Sequence, residues 1–514
     1  MKTVSESVAG QRLTLGGLVL DRLARELRTP DDRPVPLRRQ ALEVLLTLAE
    51  QAGHVVDKKA LMQRVWPEVV VGDDSLTQAV VEIRRVLGDR QHQLLRTVAR
   101  RGFVLMPTEP APPDAAPSLS IVLLPIASHA AEDEAVASAL SAALAARVGM
   151  GTAGSKVIAG EAARAVSAST TDPRAIARDL GVQQVASGDL RRADRGWCVS
   201  LALVDGESGV RLWAREFTLE DPMVTERLNE FAAQAARAVL VQMHHTAAVR
   251  AARKPASERS ADELALQGWS TIYQGSSPRN IEQALGFFGQ AVAKDPLILR
   301  GLAGWASGNL NLLELGWAPH PAATRARAVD AVARLERAHP DDTLTWCARC
   351  FLSGMEGRAE TALAIADKMV ERAAANPTAH CLRANNLLRL GRFDDSIVAV
   401  QRAFALSADD FRAGMWHEYE ATAQLMSGRP ELAAAAARQA VAANGCLLLA
   451  PLLLAAALVA LGREAEGRAL LAERLASDPG CTGSRVVALL DGTDPRYLEG
   501  RECILSSLRA IGLP

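Results

Sequence analysis

Between residues 295 and 479 the chain is divided by turn-forming pairs: Asp295-Pro296, His339-Pro340, Asn376-Pro377, Ala408-Asp409, Asn444-Gly445 and Asp478-Pro479. Neighbouring pairs stand roughly 32 to 44 residues apart, and most of the spacings bracket a 34-residue period. A unit of that length holds two helices and cannot bury a core by itself, so it is stable only when stacked on its neighbours. A Gly-Arg pair divides the two helices within units, in LGRFDDSI at Gly391, SGRPELAA at Gly428 and LGREAEGR at Gly462. Small and large packing positions recur too, as Ala284, Phe288 and Ala291 before Pro296, while the unit from Leu297 to Asp342 is overlong. Aromatic residues make up only 4% of the chain and Ala, Leu and Arg dominate it, which favours close-packed helices over sheets of aromatic and β-branched strands.

The 514 residues are too many for one core, and four further features set boundaries. The run PTEPAPPDAAPS, residues 107–118, cannot build a core and reads as an extended tether. Residues 119–245 alternate strand-like and helix-like segments, from SIVLLPIA through QVASGDL, WCVSLALVD and GVRLWAREF to a last helix ending at His244-His245, whose side chains are expected in solvent. Residues 260–480 hold the repeats and 481–514 a helical tail. The expected fold class is thus multidomain and mainly α, with a small α+β head at 1–106, a small α/β domain and a helical solenoid.

The head reads as three helices and short strands. LRRQALEVLLTLAEQAG places Leu37, Ala41, Val44, Leu45 and Leu48 on one face; Asp57 caps KKALMQRVW, which stops at Pro67. In DSLTQAVVEIRRVLGD the buried stripe is Leu76, Val80, Ile83 and Leu87, leaving Thr77, Gln78, Val81, Glu82 and Arg85 opposite. LLRTVARRGFVL then supplies two strands around a basic tip at Arg100 and Arg101, where Gly102 is expected to permit a tight turn. Residues 1–106 carry 17 Lys and Arg against 13 Asp and Glu, so a mildly basic head adjoins an acidic body. Local positive charge is what a phosphate contact needs.

From Leu13 to Leu105 these motifs resemble the OmpR/PhoB-type winged-helix output domain, in its CadC/HilA-like branch. The resemblance implies a bacterial transcription regulator whose helix from Asp74 to Leu87 reads the major groove of double-stranded DNA through Thr77, Gln78, Val81, Glu82, Arg84 and Arg85. It places Lys58, Lys59, Trp66 and Thr97 near phosphates and Arg100 and Arg101 on the wing. The loop Pro67, Glu68, Val69, Val70, Val71, Gly72 and Asp73 would face RNA polymerase, and a dimer on DNA is compatible with it. Many relatives have Arg where this chain has Val81 and Glu82, so the operator is not transferable. The middle region resembles the TolB N-terminal-like domain, which supplies architecture but no ligand, and the repeats resemble tetratricopeptide repeats, whose concave face binds other chains. The competing reading is an interaction scaffold whose winged helix no longer binds DNA.

Other motifs carry less. GMGTAGSK lacks the Lys-Ser/Thr order of a phosphate loop and reads as a plain loop. Cys347 and Cys350 have metal or redox spacing but no partner motif, which favours structural cysteines; no metal, cofactor or catalysis is expected. Seven scattered cysteines suit a reducing compartment, and MKTVSESVAGQR shows no signal-peptide core or room for a receiver domain before the winged helix. The apolar run Cys446 to Leu461 is too short to span a bilayer and contains Pro451, so it reads as a buried repeat helix. The expectation is a cytoplasmic regulator without a membrane anchor, whose effector, a protein or a small molecule, is received by the middle and repeat regions.

Overall fold

A computed structural model describes residues 12–15, 18–21, 25–29, 33–50, 56–66, 73–89, 94–98, 102–106, 119–151, 155–193, 196–219 and 225–514. The chain forms two compact units, Met1–Ala115 and Ala116–Pro514.

In the first unit, β1 (Arg12–Leu15), β2 (Leu18–Asp21), β3 (Glu26–Arg28) and β4 (Pro34–Val35) form an antiparallel sheet in chain order. Helices α1 (Arg39–Glu50), α2 (Lys58–Val65) and α3 (Asp73–Leu87) follow, with a second sheet of β5 (Val56–Asp57), β6 (Leu95–Val98) and β7 (Gly102–Leu105) in the order β5-β7-β6. The apolar stripes meet in one core: Val44, Leu45 and Leu48 of α1, Leu61 of α2, and Leu76, Val80, Ile83 and Leu87 of α3 are all buried. Leu37 packs onto that core from just before α1. Asp57 starts α2 as expected, its carboxylate accepting the Lys59 amide at 2.8 Å. Gly102 carries a positive φ of +156°, a conformation that favours glycine, and the tip before it lies outside the described residues. It opens β7 opposite Asp57, and a Cβ there would lie 1.9 Å from the Val56 carbonyl oxygen, so close strand approach demands glycine as well.

The second unit begins with a three-layer α/β domain. Its strands are β8 (Ser120–Ser128), β9 (Lys156–Ile158), β10 (Gln184–Arg192), β11 (Trp197–Asp205) and β12 (Arg211–Leu219), ordered β12-β11-β10-β8-β9. β8 runs parallel to β9 and β10, and β10, β11 and β12 form an antiparallel meander. Alternation along β8 sends Ile121 and Leu123 toward α4 (Glu134–Gly151) and α7 (Thr225–Ala252), and Val122 toward α5 (Glu161–Ser169) and α6 (Pro173–Leu180). Helix α7 does not stop at His245. No Gly or Pro interrupts it there, and Ala247, Ala248 and Ala251 continue its buried face to Ala252. His244 is therefore buried, not solvated; its ring donates to the Leu240 carbonyl at 2.8 Å and meets Tyr273 edge-on. Burial pushes its pKa down to about 4. His245 is exposed, as expected.

Helical hairpins follow: α8 (Ala261–Tyr273) with α9 (Pro278–Lys294), α10 (Leu299–Glu314) with α11 (Pro321–Ala338), α12 (Thr343–Met355) with α13 (Ala359–Arg372), α14 (Pro377–Arg389) with α15 (Phe393–Leu406), α16 (Ala413–Met426) with α17 (Pro430–Ala443), and α18 (Ala450–Ala460) with α19 (Glu464–Ser477). Gly391, Gly428 and Gly462 turn between paired helices at φ of +65°, +71° and +73°, and Gly357 does the same before α13 at +75°. First helices of neighbouring hairpins pack on one another more closely than second helices do, which curves the array with the first helices inside. The tail, α20 (Gly483–Leu489) and α21 (Pro495–Ala510), joins the core through Tyr497, Ile504, Leu505 and Leu508.

The apolar run collapses into α18, where Leu452, Leu453, Leu454 and Leu458 are buried. No helix among the described residues is long and apolar enough to cross a membrane. Cys350 is buried in a hairpin core with Cys347 packed beside it, and burial raises both thiols, Cys347 to about 12. The overlong unit has long helices and a loop that reaches across the array: the Trp317 indole donates to the Cys446 carbonyl at 3.2 Å, and Arg485 donates to the Gly316 carbonyl at 3.1 Å. Asn444 likewise donates to the Ser276 carbonyl at 2.8 Å, so the array winds back onto its own beginning.

Candidate nucleic-acid interface

Helix α3 buries one face and leaves another open. Leu76, Ala79, Val80, Ile83 and Leu87 hold it to the core, while Thr77, Gln78, Val81 and Arg85 are exposed. Val81, at 58% exposure, sits as an apolar group amid hydrogen-bonding neighbours, the mixture that base edges and thymine methyls require.

Glu82 and Arg84 do not join that face. The Glu82 carboxylate accepts the Arg38 amide at 3.1 Å and lies 3.6 Å from the Arg38 guanidinium, which ties α3 to the start of α1. Arg84 turns toward the hairpin. Its Nε and Nη2 donate to the Leu95 carbonyl at 3.0 and 2.8 Å, and Nη2 also donates to Thr97 Oγ1 at 2.9 Å. Burial lowers its pKa, with the Asp89 carboxylate opposing that shift. The buried Asp89 carboxylate itself accepts the Leu94 and Leu95 amides at 3.1 and 2.8 Å. Two side chains at the end of α3 thus fix the strand that leads to the wing. Positions 82 and 84 are engaged within the domain, and Thr77, Gln78, Val81 and Arg85 remain on the open face.

Among the other expected residues, Lys59 and Thr97 are exposed, Lys58 is half-buried, and Trp66 is half-buried with its ring against the core. Asp73 opens α3. Arg100, Arg101 and the loop from Pro67 to Gly72 lie outside the described residues. Sequence reasoning missed Arg38 and Asp89. Asp89, directly after the helix-ending Gly88, carried a signal as a capping type, whereas Arg38 has none because its partner is 44 residues away. Among the described residues no group of His, Cys, Asp and Glu could hold a metal ion.

Three helices sharing one core with two small sheets, the third helix open on one face and a hairpin anchored to its end, form a winged-helix domain. Residues 32–105 match the family model described as transcriptional regulatory protein, C terminal. Over 121 residues the chain is 28% identical to transcriptional regulator HilA of Salmonella typhimurium, covering 22% of each protein, and the figures are the same for HilA of Salmonella typhi. The chain thus spans about a fifth of the length of the curated relatives it matches. Solved structures similar to this chain include a tetratricopeptide protein of Thermus thermophilus, 17% identical with a TM-score of 0.31, covering 39% of this chain and 100% of that one. A tetratricopeptide repeat protein of Parabacteroides merdae is 14% identical with a TM-score of 0.32, covering 55% of this chain and 97% of its own.

Proposed function

We propose that this chain is a sequence-specific DNA-binding transcription regulator working in the cytoplasm. The observation that carries the proposal is the open face of α3, with Thr77, Gln78, Val81 and Arg85 exposed on a helix braced by the Arg38–Glu82 and Arg84–Leu95 contacts. That face enters the major groove of double-stranded DNA, where Gln78 and Arg85 hydrogen-bond base edges and Val81 and Thr77 take apolar contacts. Lys58, Lys59, Trp66 and Thr97, with Arg100 and Arg101 on the wing, hold the phosphate backbone. The loop from Pro67 to Asp73 faces RNA polymerase, and the second unit receives the effector. The proposal assigns catalysis to neither unit.

Genome-wide binding followed by footprinting with the purified chain tests it. Discrete protected sites that disappear in Q78A/R85A support the proposal. Absence of discrete sites under every growth condition overturns it in favour of a scaffold.

A further inference from the structure

Helix α7 of the α/β domain packs along α8 and reaches the end of α15, where Glu230 pairs with Arg402 and Gln234 donates to the Ala405 carbonyl at 2.9 Å. Between α7 and the first helices of five successive hairpins, α8, α10, α12, α14 and α16, a cavity of about 480 Å³ remains. Its size falls in the range of small-molecule sites, about 300–1,000 Å³. Flat apolar surface is supplied by Trp269, Tyr273, Trp346, Phe351 and Phe411.

The charges around it do not balance. Among the described residues five arginines line the cavity, Arg147, Arg237, Arg300, Arg372 and Arg412, against one carboxylate, Asp342. Asp342 is engaged in capping α12, accepting the Leu344 amide at 2.8 Å. Arg300 is matched by Asp262 and Arg412 by the buried Asp410. Arg237 reaches the same Asp410 only at 3.5 Å and stands over the Tyr273 ring at 4.7 Å. Arg147 has neutral partners, the Ala143 carbonyl at 3.2 Å and the Asn229 side chain at 2.8 Å, and its Nε is buried without a hydrogen-bond partner. Arg372 donates to the Asp341 carbonyl at 3.3 Å and lies over Trp346 at 5.4 Å. Counting Asp262 and Asp410 as well, five cations face three carboxylates among the described residues. An excess of positive charge in a partly enclosed, ring-walled cavity is relieved by a bound anion whose body is apolar.

We infer that this cavity binds a small organic anion with a flat apolar body, of the aromatic-carboxylate class. Arg147 comes from α4, and Arg237, Leu240 and His244 come from α7, whereas Arg372 and the other ring-bearing walls come from the array, so one ligand bridges the α/β domain and the repeats. The inference rests on the reading of the second unit as the effector receiver and names the chemistry it receives.

The probes are 2-naphthoate and its neutral isostere 2-naphthamide, titrated into the full chain by calorimetry and by fluorescence of Trp269 and Trp346. Naphthoate is expected to bind at least about tenfold tighter than the amide, because a charge-assisted hydrogen bond is roughly twice as strong as a neutral one. R147Q and R372Q are each expected to weaken naphthoate about tenfold or more and leave the amide unchanged. Arg372 is exposed, so R372Q decides the matter even if thermal unfolding shows that R147Q has lost its fold. Equal affinity for acid and amide, indifference to R372Q, or no naphthoate binding up to about 5 mM overturns the inference. DNA is absent from these titrations. Repeating a DNA-binding measurement with saturating naphthoate separately tests the effector reading, which fails if DNA affinity does not change while naphthoate is bound.

Discussion

Arg84 and Arg85 are adjacent in sequence and opposite in consequence, so truncating each to alanine separates architecture from recognition. R84A removes two donors from the Leu95 carbonyl and one from Thr97 Oγ1. Hydrogen bonds to charged groups contribute about 1.5 to 3 kcal/mol, and the shared carbonyl makes the three bonds worth less than their sum, so about 2 kcal/mol is expected. That corresponds to roughly thirtyfold faster amide exchange in β6 and β7 if opening of the first unit governs exchange there. R85A alters an exposed side chain and is expected to change exchange by no more than about a factor of two, within the range of surface substitutions. Its cost falls on recognition, at about 1 to 3 kcal/mol for one base position in a panel of duplexes measured by anisotropy. The reasoning is refuted if R84A abolishes discrimination at one base pair while β6 exchange stays at the parent rate. Arg84 would then face the groove.

Three further outcomes follow from the same geometry. G102A is expected to destabilise the first unit by more than about 2 kcal/mol, since its Cβ would meet backbone at 1.9 Å; an unchanged melting temperature contradicts the strand packing described. Replacing Arg100 and Arg101 with alanine is expected to weaken binding to every duplex alike and flatten the salt slope by about 0.9 for each phosphate no longer neutralised, and an unaltered slope removes these residues from the wing surface. His244 has a folded pKa of about 4 against about 6.5 unfolded, so the unfolded chain takes up the proton first as pH falls. Its contribution is complete above pH 6.5 and about 3 kcal/mol is lost by pH 4; H244L is expected to lose less stability than the parent between pH 7 and 4.5 in urea titrations.

What the sequence disclosed was what local chemistry encodes. The glycines at 391, 428 and 462 marked helix turns because left-handed backbone favours that residue, and the apolar stripe of α3 followed from helical periodicity. Periodicity assigns a side chain to a sector of the helix, not to a partner, so it gives no sign of where the Glu82 and Arg84 side chains turn. Glu82 meets Arg38 and Arg84 meets the Leu95 carbonyl, contacts that exist only after folding. His244 was misplaced for a related reason: a histidine pair suggested a helix end, whereas the alanines beyond it carried the buried face onward. The cavity between α7 and the array had no sequence signal, because its arginines come from separate segments scattered between Arg147 and Arg412.

The return of the array onto its beginning bears on how the chain is made. In an ordinary repeat stack each hairpin can consolidate as soon as its neighbour has left the ribosome. Here the Gly316–Trp317 loop finds its partners at Cys446 and Arg485, and Ser276 waits for Asn444. Such distant pairings raise contact order, which slows folding. The early hairpins must therefore persist incompletely satisfied until well over a hundred further residues are synthesised, and the repeats acquire the all-or-none character of a globular domain. A nascent chain halted before Cys446 would expose the underside of that loop to chaperones, whereas one halted after Arg485 would not.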